Sequence, residues 1–544
     1  MRVSKVWLVS FLLLFAVPFA VAKDTATAKT QNDEESKTES AESDSGESEN
    51  AESKNSASKN GKPKNGKPDS EAPADELSAT NHETTIGGER IHYTATAGTI
   101  VMKTDDPKKK AKASIFFVAY TKDDVKDVAR RPLTFCFNGG PGSSAVWLHL
   151  GLLGPLHVPV NDDASLSPAR PVLKPNPHSL LDQTDLVFVD PVNTGYSRPA
   201  EGQDKKQFHG FDEDIASVGE FIHLYTTRYA RWASPRFLIG ESYGTLRAAG
   251  LSGHLQLRYN MDLNGIVLVS TVLDYQTISF GDNNDLPYIV YLPTYTATAW
   301  YHKRLPSELQ ELDVREVVAK SQAFAVNQYA VALLKGDAMS VEERQRTINE
   351  LARFTGLSPD YLDRANLRID AYQFAKQLLG EQRKVVGRFD TRYTGVDNHA
   401  AKDHYGYDPS ESAIFGAYTA GMYEYLRNDL KVKRDVPYEI LSNKVFPWNF
   451  GRFGNNYVNA TGTLREAMTK SPHMKVFVAS GYYDLATPCM GAAYSFNHLG
   501  LAREQHKNIT LAYYPAGHMM YVHGPSLKKL KEDLTGFYKA SVHE

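Results

Sequence analysis

A serine in a Gly-x-Ser-x-Gly turn is the residue of this chain best suited to nucleophilic chemistry. Ser242 follows the apolar run 237–239, which is typical of a buried strand, and precedes residues 245–257, where Leu and Ala recur at helical spacing. Gly240 and Gly244 would let strand and helix approach closely around a strained turn that holds the serine hydroxyl clear of the sheet. The motif alone is common by chance, so the rest of the chain decides its meaning.

An aspartate and a histidine near the C-terminus could activate this serine. Asp484 follows the apolar run that begins at residue 475, His518 follows the run 509–514, and both runs predict strands. His518 can accept the proton of Ser242 near neutral or mildly acid pH. Asp484 can fix the imidazole tautomer and stabilise the imidazolium. The three residues are therefore predicted to act as a catalytic triad.

A glycine-rich turn follows the strand predicted at 133–137 and could bind a developing oxyanion. It reads Asn138-Gly139-Gly140-Pro141-Gly142-Ser143-Ser144. Such a turn presents backbone N–H groups with no side chain in the way, which is what an oxyanion hole requires. A further apolar run, 185–189, leads into a polar turn at 190–197, where open α/β sheets bind ligands.

These motifs together resemble the serine carboxypeptidase family of α/β-hydrolases in order and spacing as well as in residues. The matching segments are 138–144, 190–197, 241–244, 475–484 and 509–519. The order Ser, Asp, His along the chain is the one that α/β-hydrolases use. The resemblance covers residues 84–544. It implies an α/β fold, namely the α/β-hydrolase fold with a central, mostly parallel sheet and a large, mainly helical cap insertion.

The resemblance also implies roles for residues beside the triad. Backbone N–H groups of Gly140 and Tyr243 would be the oxyanion donors. Asn138, Gly139 and Glu241 would receive the terminal carboxylate of a substrate. A carboxylate beside Glu241 repels it unless one of the two is protonated, so a shared proton should raise the pKa of the pair. We therefore expect peptide hydrolysis to favour acidic pH; the alternative is that Glu241 only caps or pairs locally.

Several positions depart from the family pattern. Thr245 stands where a small residue is usual, Asn193 interrupts the usual Pro-Val-Gly-Thr-Gly turn, and Met520-Tyr521 replaces the expected Val-Pro after Met519. The disulfide set common in the family is missing. No catalytic group is lost, and the departures indicate a distant, bacterial-type branch.

The N-terminal residues predict export. Arg2 and Lys5 precede an apolar run, 6–21, and Ala20-Val21-Ala22 forms a cleavage site, so residues 1–22 are interpreted as a signal peptide. The run is short for a bilayer span, and no stable membrane span is expected after cleavage, although an uncleaved anchor stays open. We expect a periplasmic or secreted protein.

Composition and motifs together divide the exported chain. Residues 23–83 are rich in Ser, Glu, Lys and Asn and poor in large apolar residues, so they are expected to form a disordered linker, with a pro-segment or partner-binding tail as alternatives. Residues 84–272 and 459–544 would form the two parts of the hydrolase core. Residues 273–458 would form the cap insertion.

Charge, cysteines and histidines restrict the possible partners and cofactors. Lys and Arg total 61 against 64 Asp and Glu, a balance that argues against a nucleic-acid or anionic-membrane partner. Cys136 and Cys489 could form one disulfide in an exported protein, but the apolar surroundings of Cys136 fit a buried thiol at least as well. His523 lies close to His518, but no third ligand follows at metal-site spacing, so no metal and no cofactor are expected.

The sequence therefore predicts an exported serine carboxypeptidase acting on peptides with a free C-terminus. An esterase or acyltransferase using the same triad is the enzymatic alternative. A binding protein on an inactive hydrolase scaffold would predict loss of a triad or oxyanion residue, and none is lost. Side-chain preference and oligomeric state do not follow from the sequence.

Overall fold

The computed structural model describes residues 74–165, 172–402 and 405–542, which belong to one unit of the chain, Ala72–Glu544. The expected signal peptide and residues 23–73 of the expected linker lie outside the described residues. Within the described ranges, none of the helices has both the length and the apolar character needed to cross a bilayer.

In the part of the chain that the structure describes, the strands form one large sheet and two small two-stranded antiparallel sheets. They are β1 (Glu76–Ile86), β2 (Glu89–Lys103), β3 (Ala111–Lys122), β4 (Leu133–Phe137), β5 (Leu156–His157), β6 (Lys174–Pro175), β7 (Asp185–Val189), β8 (Arg198–Pro199), β9 (Arg236–Ser242), β10 (Gly265–Thr271), β11 (Lys384–Val386), β12 (Thr394–Val396), β13 (Lys475–Gly481) and β14 (Ile509–Tyr514).

The large sheet runs in the order β1-β2-β3-β7-β4-β9-β10-β13-β14, with β8 paired to β3. The first three strands and the β3–β7 pair are antiparallel, and every pair from β7 to β14 is parallel. The expected central, mostly parallel sheet is confirmed. Because parallel strands end at the same edge, the segments after β4, β9, β13 and β14 meet there.

Both faces of the central parallel strands are covered, which explains their continuous apolar sequences. Every residue of β4, β7 and β10 is buried. Within β9, Phe237 and Ile239 pack in one apolar cluster with Leu530 and Leu534 of the C-terminal helix, whereas Leu238 packs in another cluster with residues of helices on the opposite face. This alternation is the two-residue period of a strand between two layers.

The first strand begins earlier than the sequence indicated. β1 starts at Glu76, inside the region expected to be linker up to residue 83. Its side chains alternate between exposed and partly buried because β1 is the edge strand, paired only with β2 along its length. An edge strand with one solvated face needs few large apolar residues, so its composition is that of a linker.

The helices surround the sheet and form the insertion. They are α1 (Phe211–Arg228), α2 (Tyr243–Tyr259), α3 (Leu286–Tyr301), α4 (Ser307–Gln310), α5 (Val314–Phe324), α6 (Ala330–Lys335), α7 (Val341–Thr355), α8 (Pro359–Arg364), α9 (Ala371–Gln377), α10 (Pro409–Glu424), α11 (Thr461–Lys470), α12 (Cys489–Asn497) and α13 (Gly524–Val542). In the described residues between β10 and α11, the structure has helices α3–α10 and the short β11–β12 hairpin. The expected mainly helical insertion is confirmed, and much of it packs around an apolar cluster of its own.

Candidate active site

Ser242 lies at the sharp turn between β9 and α2. Its backbone has φ 60° and ψ −127°, a conformation that L-residues rarely adopt. A Cβ on Gly240 would lie 2.1 Å from the carbonyl oxygen of Gly244, so the turn needs glycine there. The Thr245 hydroxyl lies 2.7 Å from the Ser242 carbonyl oxygen, 2.8 Å from that of Val272, and accepts the Val272 N–H. Thr245 thus fastens the turn to the end of β10.

His518 and Asp484 are in direct contact in the protein interior. His518 Nδ1 lies 2.8 Å from Asp484 Oδ2, and the two residues are 3% and 0% exposed. The other donors to Asp484 are the N–H groups of Ala486 and Thr487 and the Thr487 hydroxyl, at 2.7, 3.0 and 2.7 Å. A carboxylate fixed in this way holds a proton on Nδ1 and leaves Nε2 with the lone pair of a general base.

The end of β10 contacts both Ser242 and the loop that carries His518. Ser242 pairs with Thr271 at the end of β10. The residue before it in β10, Ser270, donates its hydroxyl to the His518 carbonyl. The nucleophile candidate and the base candidate are therefore positioned by the same strand.

The insertion also positions His518. Its N–H donates to the Phe389 carbonyl at 2.6 Å, and the Phe389 ring lies 5.1 Å from the imidazole. The N–H of Gly517 donates to Asp390 Oδ2 at 3.2 Å. The sequence did not indicate Phe389 or Asp390, because these contacts join segments that are far apart in the chain.

The glycine-rich loop 138–144 lies directly against the Ser242 turn. A Cβ on Gly139 would lie 2.4 Å from Tyr243 N and 2.7 Å from the Glu241 carbonyl oxygen. Gly140 has φ +101°, which favours glycine. The segments that carry the two expected oxyanion donors, the N–H groups of Gly140 and Tyr243, are thus in contact beside the nucleophile candidate.

Residues 440–442 of the insertion form backbone hydrogen bonds with residues 142–144 of this loop. Ser144 N–H donates to the Ile440 carbonyl at 3.0 Å, and Ser442 N–H donates to the Gly142 carbonyl at 2.8 Å. A Cβ on Gly142 would lie 2.5 Å from the Ser442 carbonyl oxygen. The loop conformation therefore depends on a segment that belongs to the insertion.

Arg247 of α2 contacts the glycine-rich loop through a hydrogen bond to its first residue, Asn138. The sequence did not indicate this role. Arg247 is 1% exposed. Its Nη1 donates to the Asn138 carbonyl at 2.6 Å and its Nε to Asp214 Oδ2 at 2.7 Å. The guanidinium lies 5.3 Å from the ring centres of both Phe137 and Tyr243. Its place one helical turn after Tyr243 was the only local signal.

The Glu241 carboxyl group is buried beside Ser242 and has a donor on each oxygen. Asn138 Nδ2 donates to Oε1 at 2.9 Å, and the Tyr521 hydroxyl donates to Oε2 at 2.7 Å. Asn138 is itself fixed by Leu148 N–H, which donates to its Oδ1 at 3.1 Å. Burial raises the pKa of Glu241 to about 7, although His518 and both side-chain donors act to lower it.

His523 and the two cysteines are the remaining residues that the sequence singled out. The Nδ1 of His523 lies 2.7 Å from Ser526 Oγ at the start of α13. Within the described ranges, no group of three or more His, Cys, Asp or Glu side chains is arranged to hold a metal ion. Cys136 and Cys489 are both free and buried, so the structure has two buried thiols rather than the disulfide that the sequence left open.

The sheet order and the strained serine turn after β9 define an α/β-hydrolase. A family model described as serine carboxypeptidase matches residues 101–526, which is most of the chain. The chain belongs to the serine carboxypeptidase family.

Individual relatives match over shorter lengths. The chain is 30% identical to pheromone-processing carboxypeptidase KEX1 of Saccharomyces cerevisiae over 156 residues, 27% of this chain and 20% of the relative. It is 30% identical to serine carboxypeptidase-like 51 of Arabidopsis thaliana over 149 residues, 25% of this chain and 29% of the relative. The matched parts thus span less than a third of either relative. The crystal structure of KEX1Δp, a prohormone-processing carboxypeptidase from Saccharomyces cerevisiae, shares the fold, with a TM-score of 0.50 and 16% identity over 82% of this chain and 91% of that chain.

Proposed function

We propose that this protein is an exported serine carboxypeptidase that removes the last amino acid from peptides. Membership of the family supports the reaction class. The contact between His518 and Asp484, close to the strained turn that carries Ser242, supports these three residues as the triad. Export rests on the sequence of residues 1–22.

The proposed reaction proceeds through an acyl-enzyme. His518 Nε2 accepts the Ser242 proton while Oγ attacks the carbonyl carbon of the last peptide bond. The N–H groups of Gly140 and Tyr243 stabilise the negative oxygen of the tetrahedral intermediate. The proton then passes from His518 to the leaving amine, and the C–N bond breaks. His518 then accepts a proton from water while the water oxygen attacks the ester carbonyl, the C–Oγ bond to Ser242 breaks, and the proton returns to Oγ.

A single observation carries the assignment as an exopeptidase: a buried carboxyl group directly precedes the nucleophile. Glu241 is 3% exposed and lies against Asn138 and the Gly139 backbone. A protonated Glu241 can donate to the terminal carboxylate of a peptide, whereas an ionised one repels it. Because the pKa of Glu241 is about 7, cleavage should be strongest at acidic pH and fall as pH rises through neutrality.

The test compares a blocked dipeptide with the same dipeptide as its C-terminal amide, from about pH 4 to about pH 8. We expect much faster cleavage of the free acid at acidic pH and no cleavage by Ser242→Ala. Ser252→Ala is the matched control, because Ser252 is buried in α2 and its hydroxyl donates to the Ala249 carbonyl within the same helix. Equal cleavage of acid and amide would contradict the carboxylate site. Hydrolysis of simple esters without peptide cleavage would favour the esterase or acyltransferase alternative.

A further inference from the structure

Tyr521 approaches Glu241 from the segment that follows His518. It lies in the short turn Met520–Val522 and is 3% exposed. Its hydroxyl donates to Oε2 of Glu241, while Asn138 donates to Oε1. Each oxygen of the buried carboxyl group therefore has one neutral donor, and the two donors come from segments on opposite sides of it in the sequence.

The ring of Tyr521 needs a position without a side chain. A Cβ on Gly151 would lie 2.3 and 2.5 Å from two carbon atoms of the Tyr521 ring and 2.7 Å from the Tyr418 hydroxyl. Gly151 belongs to the short π-helix Leu148–Leu153, and the N–H of Leu148 fixes Asn138. One short helix therefore positions both donors to Glu241.

We propose that Tyr521 is a positioning residue, which fixes the Glu241 carboxyl group for the terminal carboxylate of a peptide substrate. This role rests on the proposed function. Tyr521 lies at one of the positions where the sequence departs from the family pattern, Met520-Tyr521 in place of Val-Pro. The departure supplies a hydroxyl group that contacts Glu241.

The charged and titratable groups around Glu241 determine in which direction its pKa should change when the Tyr521 hydroxyl is removed. The nearby imidazole of His518 favours the ionised carboxylate, Asp484 disfavours it, and Tyr418 lies close by on α10. The donors Tyr521 and Asn138 both favour the ionised form. Without the Tyr521 hydroxyl, the pKa of Glu241 should rise further, and the protonated form should persist to higher pH.

The test is Tyr521→Phe, with kcat and KM measured across pH on a blocked dipeptide and on an ester without a free carboxylate. We expect KM for the dipeptide to rise about tenfold at acidic pH with little change in kcat, and the alkaline limb of kcat/KM to move up by about one pH unit. Ester hydrolysis should not change. Tyr538→Phe is the matched control, because Tyr538 is also buried, on α13, and its hydroxyl lies 2.7 Å from Oγ1 of Thr134 on β4.

A second variant keeps the ring in place if the loss of the hydroxyl disturbs folding. Incorporation of 3-fluorotyrosine at position 521 makes the hydroxyl a stronger donor, so the alkaline limb should move to lower pH. The role of Tyr521 would be overturned if the alkaline limb of kcat/KM stayed unchanged in both variants, or if activity on the dipeptide and on the ester fell equally. Preferential cleavage of the free acid by wild type would still support the proposed function in that case. A wild type that does not prefer the free acid would overturn both.

Discussion

Replacing Glu241 by Gln should change how the stability of the protein depends on pH. The carboxyl group is buried and the substitution keeps its shape. The Gln amide oxygen can accept the Asn138 donor, and its amide N–H can donate to the Tyr521 oxygen. The variant therefore removes the titration of residue 241 and keeps a partner for the oxygen and for the nitrogen of its amide group.

The expected magnitude follows from the pKa of Glu241. Burial raises it from an ordinary value of 4.5 to about 7, so between these values the folded state binds more proton than the unfolded state. The contribution of Glu241 to the free energy of unfolding is fully present below its unfolded pKa of 4.5. It is lost as pH rises through the folded pKa of about 7. At 1.36 kcal/mol for each pKa unit, the loss is about 3 kcal/mol.

The assay is urea unfolding of wild type and Glu241→Gln near pH 4 and near pH 8. Relative to wild type, the free energy of unfolding of the variant should be about 3 kcal/mol higher near pH 8 than near pH 4, because only wild type must ionise a buried group. Glu466→Gln, at an exposed position on α11, is the control for a simple loss of charge. A difference between wild type and Glu241→Gln that is the same at both pH values would refute the reasoning.

Three further substitutions test the supports of the site. Arg247→Met leaves Asp214 buried without its ion-pair partner, so urea unfolding should show a loss of about 3–5 kcal/mol; a fully stable variant would contradict this structural role. Gly240→Ala places a Cβ 2.1 Å from a backbone carbonyl oxygen and should lower ester hydrolysis at least about tenfold, whereas wild-type rates would show that the turn can relax. Thr487→Val removes the hydroxyl donor to Asp484 and should lower kcat about tenfold, with Thr469→Val on α11 as the exposed control.

Local sequence patterns predicted the strands that carry the candidate triad. The apolar runs before Ser242 and Asp484 are continuous because these parallel strands are covered on both faces, and such runs are visible without any knowledge of the fold. The run before His518 was also visible, although its strand lies at the sheet edge and is only partly buried. The glycine-rich turn at 138–144 was equally visible, because a position with φ > 0 is typically occupied by glycine.

The supports of the site could not be predicted in the same way. Arg247 contacts the carbonyl of Asn138, and Tyr521 contacts Glu241, so each contact joins residues that are far apart in the chain. No periodicity links such pairs. The first part of β1, before residue 84, was missed for a different reason, since the polar composition of an edge strand is also that of a linker.

The most direct test of the account is covalent trapping of the nucleophile. The protein would be treated with diisopropyl fluorophosphate, and the modified residue would be located by peptide mass mapping while peptide cleavage is followed. We predict one stoichiometric adduct, on Ser242, that appears in step with the loss of cleavage and is absent from Ser242→Ala. Full cleavage activity in a protein modified at Ser242, or inactivation through an adduct at another residue, would contradict the account.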